Sequence, residues 1–159
     1  MAKSNFERML QLADEVFAVK NDPAQLDINQ EVLERLMRIH PATVQEYNYG
    51  NGPVAWVLLI PTTLEIMQQF LDDTISEKEL FDQTPLATKY EALYLCSALV
   101  LQEYRRKGIA KQLTLQAIES IGKDHPLKAL FVWTFSKEGD LGAEALARST
   151  ALTVHKRSK

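Results

Sequence analysis

The first forty residues carry apolar side chains at helical spacing, and the period shortens to that of strands immediately afterwards. Phe6, Met9, Leu10, Ala13, Val16 and Phe17 fall on one face of a 3.6-residue repeat, which predicts an amphipathic helix over 5–19. Ser4 and Glu7 before it have the spacing of a capping box, in which each side chain satisfies the other's orphan backbone donor. Asn21-Asp22-Pro23 ends that helix, and a second is expected from about 28 to 39, with Leu33, Leu36 and Met37 on its buried side and Pro41 as its stop. Residues 44–49 and 54–60 are β-prone and flank Gly50-Asn51-Gly52, a hairpin signal, and Pro61 is expected to stop the second strand. Thr62 with Glu65, and Ser76 with Glu79, are further capping-box spacings, so 61–90 reads as a helical insertion.

The most apolar stretch of the chain is 91–101, broken only by Glu91 and Ser97, which predicts a strand buried on both faces. A helix follows to about Ile121, with Ile109, Leu113, Ala117 and Ile121 four residues apart and Gly122 as its C-terminal cap. A second apolar strand over 129–135 completes a strand-helix-strand unit, hence a parallel right-handed crossover. A last helix is expected over 141–150, with a basic tail at 153–159. The fold class is therefore α/β, in one domain spanning 1–159.

Composition adds limits. The 159 residues are 46% hydrophobic and 25% charged, as in globular domains, and no apolar run reaches the roughly 18 residues of a membrane span. The N-terminus lacks a signal-peptide core, and one cysteine, Cys96, fits a reducing compartment, so a cytoplasmic protein with no membrane partner is expected. A net charge of −3 argues against nucleic acid as a partner. Residues 61–90 hold six acids against two bases, read as a solvated helix face. Cys96 reads as a buried inert thiol, and Trp56 and Trp133 as core. His40, His125 and His155 have no metal-ligand spacing, so no metal is expected.

The chemistry concentrates between the buried strand and its helix. Arg105, Arg106, Lys107 and Lys111 place four cations within seven residues at a helix start, where unpaired N–H groups and the positive end of the helix dipole also favour an anion. Gly108 lets a bulky anion approach the backbone, and the arginines suit phosphate. The spacing fits neither a P-loop nor a dinucleotide fingerprint.

Residues 98–110, Ala-Leu-Val-Leu-Gln-Glu-Tyr-Arg-Arg-Lys-Gly-Ile-Ala, resemble the acetyl-CoA motif of the GNAT superfamily of N-acetyltransferases: Arg or Gln, two residues, Gly, one residue, then Gly or Ala. Arg105, Gly108 and Ala110 fill it, and the strand, helix and strand around it, over 91–135, agree. The resemblance implies acetyl-CoA as co-substrate, its pyrophosphate on the amides from Arg106 through Lys107, Gly108, Ile109 and Ala110 to Lys111, and its pantetheine arm along the backbone of Ala98 and Val100. It also implies strands that splay around the thioester, direct attack by an amine of a small molecule or protein in a ternary complex, and a mixed central sheet flanked by helices, here with a shortened C-terminal end that has room for one short strand where the family usually has two.

Several positions depart from the family's pattern. Tyr94 stands where several members carry a glutamate base, eleven residues before the first motif position, with Glu91 the nearest acid. Tyr94 and Glu91 are the candidates for proton handling, with Glu46 and Tyr47 of the hairpin behind them. The helix after the second strand has no tyrosine to serve as acid, which leaves Ser136, Ser149 or unassisted departure of the thiolate. A CoA-binding sensor or interaction domain without turnover is the alternative, and an anion-binding interaction domain with another ligand is the third. A homodimer covering an exposed sheet edge is also expected.

Overall fold

The computed structural model describes residues 4–20, 30–133, 137–150 and 152–157. Five strands form one sheet in the order β1 (Val44–Tyr49), β2 (Gly52–Thr62), β3 (Ala92–Val100), β4 (Ala129–Val132) and β5 (Thr153–Lys156). The first three are antiparallel, and β3, β4 and β5 run parallel, so the sheet is mixed as expected. Helices α1 (Asn5–Lys20), α2 (Gln30–Ile39), α3 (Leu64–Leu71) and α4 (Glu77–Gln83) precede β3, α5 (Ile109–Asp124) joins β3 to β4, and α6 (Lys137–Thr150) joins β4 to β5.

Alternation along the strands assigns the layers. Leu58 and Ile60 of β2, Ala92 and Tyr94 of β3 and Phe131 of β4 pack with α2, α3 and α4. Val57, Leu59, Leu93 and Leu130 face the other way, onto Leu113, Ala117 and Ile121 of α5 and Leu146 of α6. Met9 of α1 is fully buried against Val54 and Leu99 at the far end of the first layer.

Several elements differ from their expectation. Glu7 N–H donates to Ser4 Oγ, the serine half of the first capping box, and Asn5 N–H donates to the Asn51 side chain, docking α1 on the hairpin turn. On α1 Phe6 and Leu10 are exposed, and on α2 the buried positions are Val32, Leu36 and Ile39, with Met37 exposed. Pro61 lies inside β2 rather than stopping it. The pairing with β1 ends at Leu58, so the missing N–H of Pro61 falls on an unpaired edge. The cap of α3 is Thr63, not Thr62, whose hydroxyl bonds Thr84 instead. Gly122 lies within α5, which runs on to Asp124 and is capped at His125. After α6, β5 is laid parallel on β4.

Candidate functional site

The strand β3 has two unlike halves. From Ala92 to Tyr94 it pairs with β4, and the pairing stops at Tyr94 opposite Phe131 although β3 runs six residues further. On its other side β3 stays paired with β2, but Ser97 opposes Leu58 and Leu95 opposes Leu59, which leaves Cys96 as the extra residue of a β-bulge. Beyond Tyr94, β3 has no partner on this side among the described residues, β4 ending at Val132, and burial falls away: Cys96 is half-buried and Ala98 exposed. The expectation of a strand covered on both faces holds only up to Tyr94.

Leu101 N–H donates to Val54 O at 2.9 Å. By the alternation of an antiparallel ladder, Leu99 faces β2 likewise, and the backbone groups of Ala98 and Val100 point to the side that β4 has vacated. Val100 O accepts from Arg105 Nε at 2.9 Å, and no strand among the described residues opposes Ala98.

A single 3₁₀ turn at Gln102–Tyr104 carries the chain from β3 to the cation cluster. Arg106 then adopts φ +65° and Gly108 φ +77°, two left-handed residues that turn successive amides outward ahead of α5. Gln112 N–H is the first to find a helical acceptor, Gly108 O, so the amides of Lys107 to Lys111 have no backbone partner among the described residues. A Cβ built on Gly108 would meet nothing within 4 Å, so the approach to these amides is open. The turn is braced from outside: Arg8 of α1 pairs with Glu103 at 2.5 Å and holds that carboxyl at about 2, and Lys107 Nζ lies over the Tyr104 ring. A strand edge without a partner among the described residues, leading to five amides without backbone partners and four cations, suits an extended ligand with a phosphate at one end.

A profile of the acetyltransferase (GNAT) family matches residues 7–149. The chain belongs to this family. The match runs from within α1 to within α6 and includes β3 and β4, and the GNAT resemblance carried by residues 98–110 is thereby extended to nearly the whole chain. No curated protein matches the chain.

The other residues singled out in the sequence are distributed unevenly over this GNAT domain. Tyr94 ends the pairing with β4, is 1% exposed, and donates to Glu77 Oε2 at 2.6 Å. Burial first, then the Glu77 charge, pushes its hydroxyl well above the ordinary phenol range. Glu91 lies at the start of β3, away from the unpaired edge, ion-paired to Lys128 at 2.8 Å. Glu46 accepts from the Trp56 indole at 3.1 Å, and Tyr47 is exposed on β1. Ser149 is exposed on α6, and Ser136 lies outside the described residues.

Sequence reasoning missed two buried groups here. Glu77, grouped with the solvated acids, is 8% exposed, and Arg157, grouped with the basic tail, is equally buried, with its guanidinium 4.5 Å from both the Phe70 and Trp133 ring centres. Arg157 also pairs with Asp73 and donates to Ile75 O at 3.2 Å. The only sequence signal for Glu77 was its place just after Ser76 in a capping box, which fixes the helix start but not its orientation. Among the described residues no cluster of His, Cys, Asp or Glu could hold a metal, and no helix is long and apolar enough to cross a membrane.

Proposed function

We propose that the protein transfers an acetyl group from acetyl-CoA to an amine by direct attack within a ternary complex. The observation that carries the reading is the run of amides from Lys107 to Lys111 without backbone partners, which follows the β3 edge that has no partner among the described residues. In this reading the pyrophosphate sits on the amides from Arg106 to Lys111, with Arg105, Arg106, Lys107 and Lys111 supplying charge. The pantetheine arm lies along Ala98 and Val100. The thioester then rests beside β3 beyond Tyr94, where the attacking nitrogen forms its bond to the acyl carbon as the carbon–sulfur bond breaks. The acceptor is an amine of a small molecule or a protein. A second copy of the chain would cover β1 or β5, the two edge strands.

A CoA-binding domain without turnover is the second reading. It is favoured by the enclosed Tyr94 hydroxyl and by the lack of a tyrosine over 142–151.

Thermal unfolding with acetyl-CoA tests both. Ligand at about 100 times its Kd adds roughly 2.7 kcal/mol to stability, a shift of several degrees for a domain of this size. Gly108→Glu abolishes the shift by placing a carboxylate against the phosphate. Gly108→Asn tolerates the left-handed backbone and keeps most of it. No shift in the wild type at millimolar ligand refutes both readings, and release of CoA in the presence of amines separates the first from the second.

A further inference from the structure

In the reading above, the acceptor reaches the thioester from the face of the sheet that the donor leaves free. The cations that would hold the donor lie at the start of α5, and α5 packs on the face that carries Leu59, Leu93 and Leu130. On the opposite face, Trp56 of β2 pairs in register with Glu46 of β1 and with Leu99 of β3, and Leu58, two residues on, pairs with Val44 and Ser97. Directly opposed residues share a face, so Glu46, Trp56 and Ser97 all stand on the acceptor's side. They are accessible there: Glu46 is exposed, and Trp56 and Ser97 are half-buried.

Resting on that reading, we propose that Glu46 and Trp56 receive a second cationic group of the acceptor, so that the protein selects amines carrying a further ammonium. Trp56 Nε1 donates to Glu46 Oε2 at 3.1 Å, which fixes the carboxylate beside the indole. The indole is itself braced, edge-on to Phe6 of α1 at 6.1 Å between centroids. Among the described residues no cation pairs with Glu46, and its other carboxylate oxygen has no hydrogen-bond donor. A carboxylate with one oxygen held and one free, next to an electron-rich ring, matches an alkylammonium: the free oxygen accepts a charge-assisted hydrogen bond, and the ring attracts the cation and packs on its alkyl chain.

Distance decides the role. Neighbouring strands lie about 5 Å apart, so Glu46 on β1 stands two spacings, about 10 Å, from β3, and the unpaired edge is on the far side of β3. A carboxylate so placed is out of reach of the attacking nitrogen's proton, and it is placed for a charge at the other end of an extended acceptor, with Trp56 and Ser97 along the way. A short diamine at the thioester does not reach it, whereas spermidine does. Glu46 thus sets specificity and takes no part in the bond-making step.

The test follows CoA release at saturating acetyl-CoA with spermidine, putrescine, a lysine peptide and octylamine, which has about the reach of spermidine without a second charge. The wild type should favour spermidine over octylamine and putrescine by about tenfold in kcat/KM. Glu46→Gln keeps an amide oxygen for the Trp56 indole and removes only the charge. It should raise KM for spermidine about tenfold, with kcat, KM for acetyl-CoA and the melting temperature unchanged, and Glu46→Asp should recover part of the loss. Equal use of spermidine and octylamine by the wild type, a preference that Glu46→Gln keeps within twofold, or turnover of the lysine peptide alone overturns the proposal and leaves acetyl transfer standing. A wild type that shifts its melting temperature with acetyl-CoA but releases no CoA with any of the four amines overturns acetyl transfer itself, and this proposal with it.

Discussion

The two ends of β3 are built for opposite tasks. At its start the strand is paired on both edges, and both of its faces are covered: Ala92, Leu93 and Tyr94 are all buried. Glu91 there is tied to Lys128, and Glu91 O accepts from Lys128 N–H at 2.7 Å. At its far end one edge is vacant, a bulge at Cys96 has shifted the register, and the chain leaves through two left-handed residues. Helix α5 spans the same contrast, with unsatisfied amides at its start and a network of His125, Asp124, Lys89 and Tyr90 at its finish. The closed end supplies the stability that lets the open end leave backbone groups unpaired.

Paired truncations along the strand test this division most strongly. Leu93→Ala removes a fully buried side chain packed on α5 and should cost about 2–5 kcal/mol in urea unfolding. Leu95→Ala, two residues on and half-buried, should cost less, about 1–2 kcal/mol. Equal losses would mean that the far half of β3 is as well covered in solution as its start, and the contrast is wrong.

The two glycines of the α5 region give a smaller effect with opposite signs. Gly122 is exposed in the helix interior, and an added Cβ there would meet nothing within 4 Å, so Gly122→Ala should add about 0.5–1 kcal/mol. Gly108 is equally uncrowded, yet its φ of +77° makes Gly108→Ala cost about 1–2 kcal/mol. Chemical denaturation of both variants checks this, and a stabilising Gly108→Ala would show that the amide cradle is not built on a left-handed residue.

These two glycines also mark what the sequence could and could not convey. The cation cluster, the helix start at Gly108 and the parallel unit around them were legible, because turn chemistry and apolar period are local signals. Gly122 was not, since a glycine near a helix end signals a cap unless tertiary packing extends the helix, as Ile121 does by burying itself against Leu59 and Leu93. Pro61 misled in the same way, because whether a strand tolerates proline depends on where its neighbour ends. The bulge at Cys96 has no signature in a continuous apolar run, and it alone decides that Ala98 and Val100 face the vacated side. Glu77 and Arg157 lie 80 residues apart, yet both are buried, Glu77 on the Tyr94 hydroxyl and Arg157 over the Phe70 ring that meets Tyr94, a relation that no spacing rule carries.

The smallest predicted effect is a pH dependence confined to the closed end. Tyr90 N–H donates to His125 Nδ1 at 3.3 Å and Ala42 N–H to His40 Nδ1 at 3.0 Å, so each ring presents an unprotonated nitrogen to a backbone donor. His40 Nε2 therefore carries its proton toward Asp124, 2.7 Å away. Burial, then the neighbouring His40 and Lys89, lowers the pKa of His125 below its ordinary 6.5, while Asp124 pulls the other way. In the unfolded chain His125 binds its proton first as pH falls, so the stability it contributes is fully present above about 6.5 and is lost as pH drops through the folded value. Unfolding free energies measured between pH 8 and 5 should decline over that window in the wild type. They should decline less in His125→Gln, whose amide oxygen can still accept from Tyr90. The cradle at the other end of α5 bears arginine and lysine and no imidazole, so any pH response of acetyl-CoA affinity over this range should be unchanged in His125→Gln. A wild type that gains stability on acidification would mean that the closed end holds a charged imidazole, with the network around Asp124 acting as an ion pair instead of a neutral clasp.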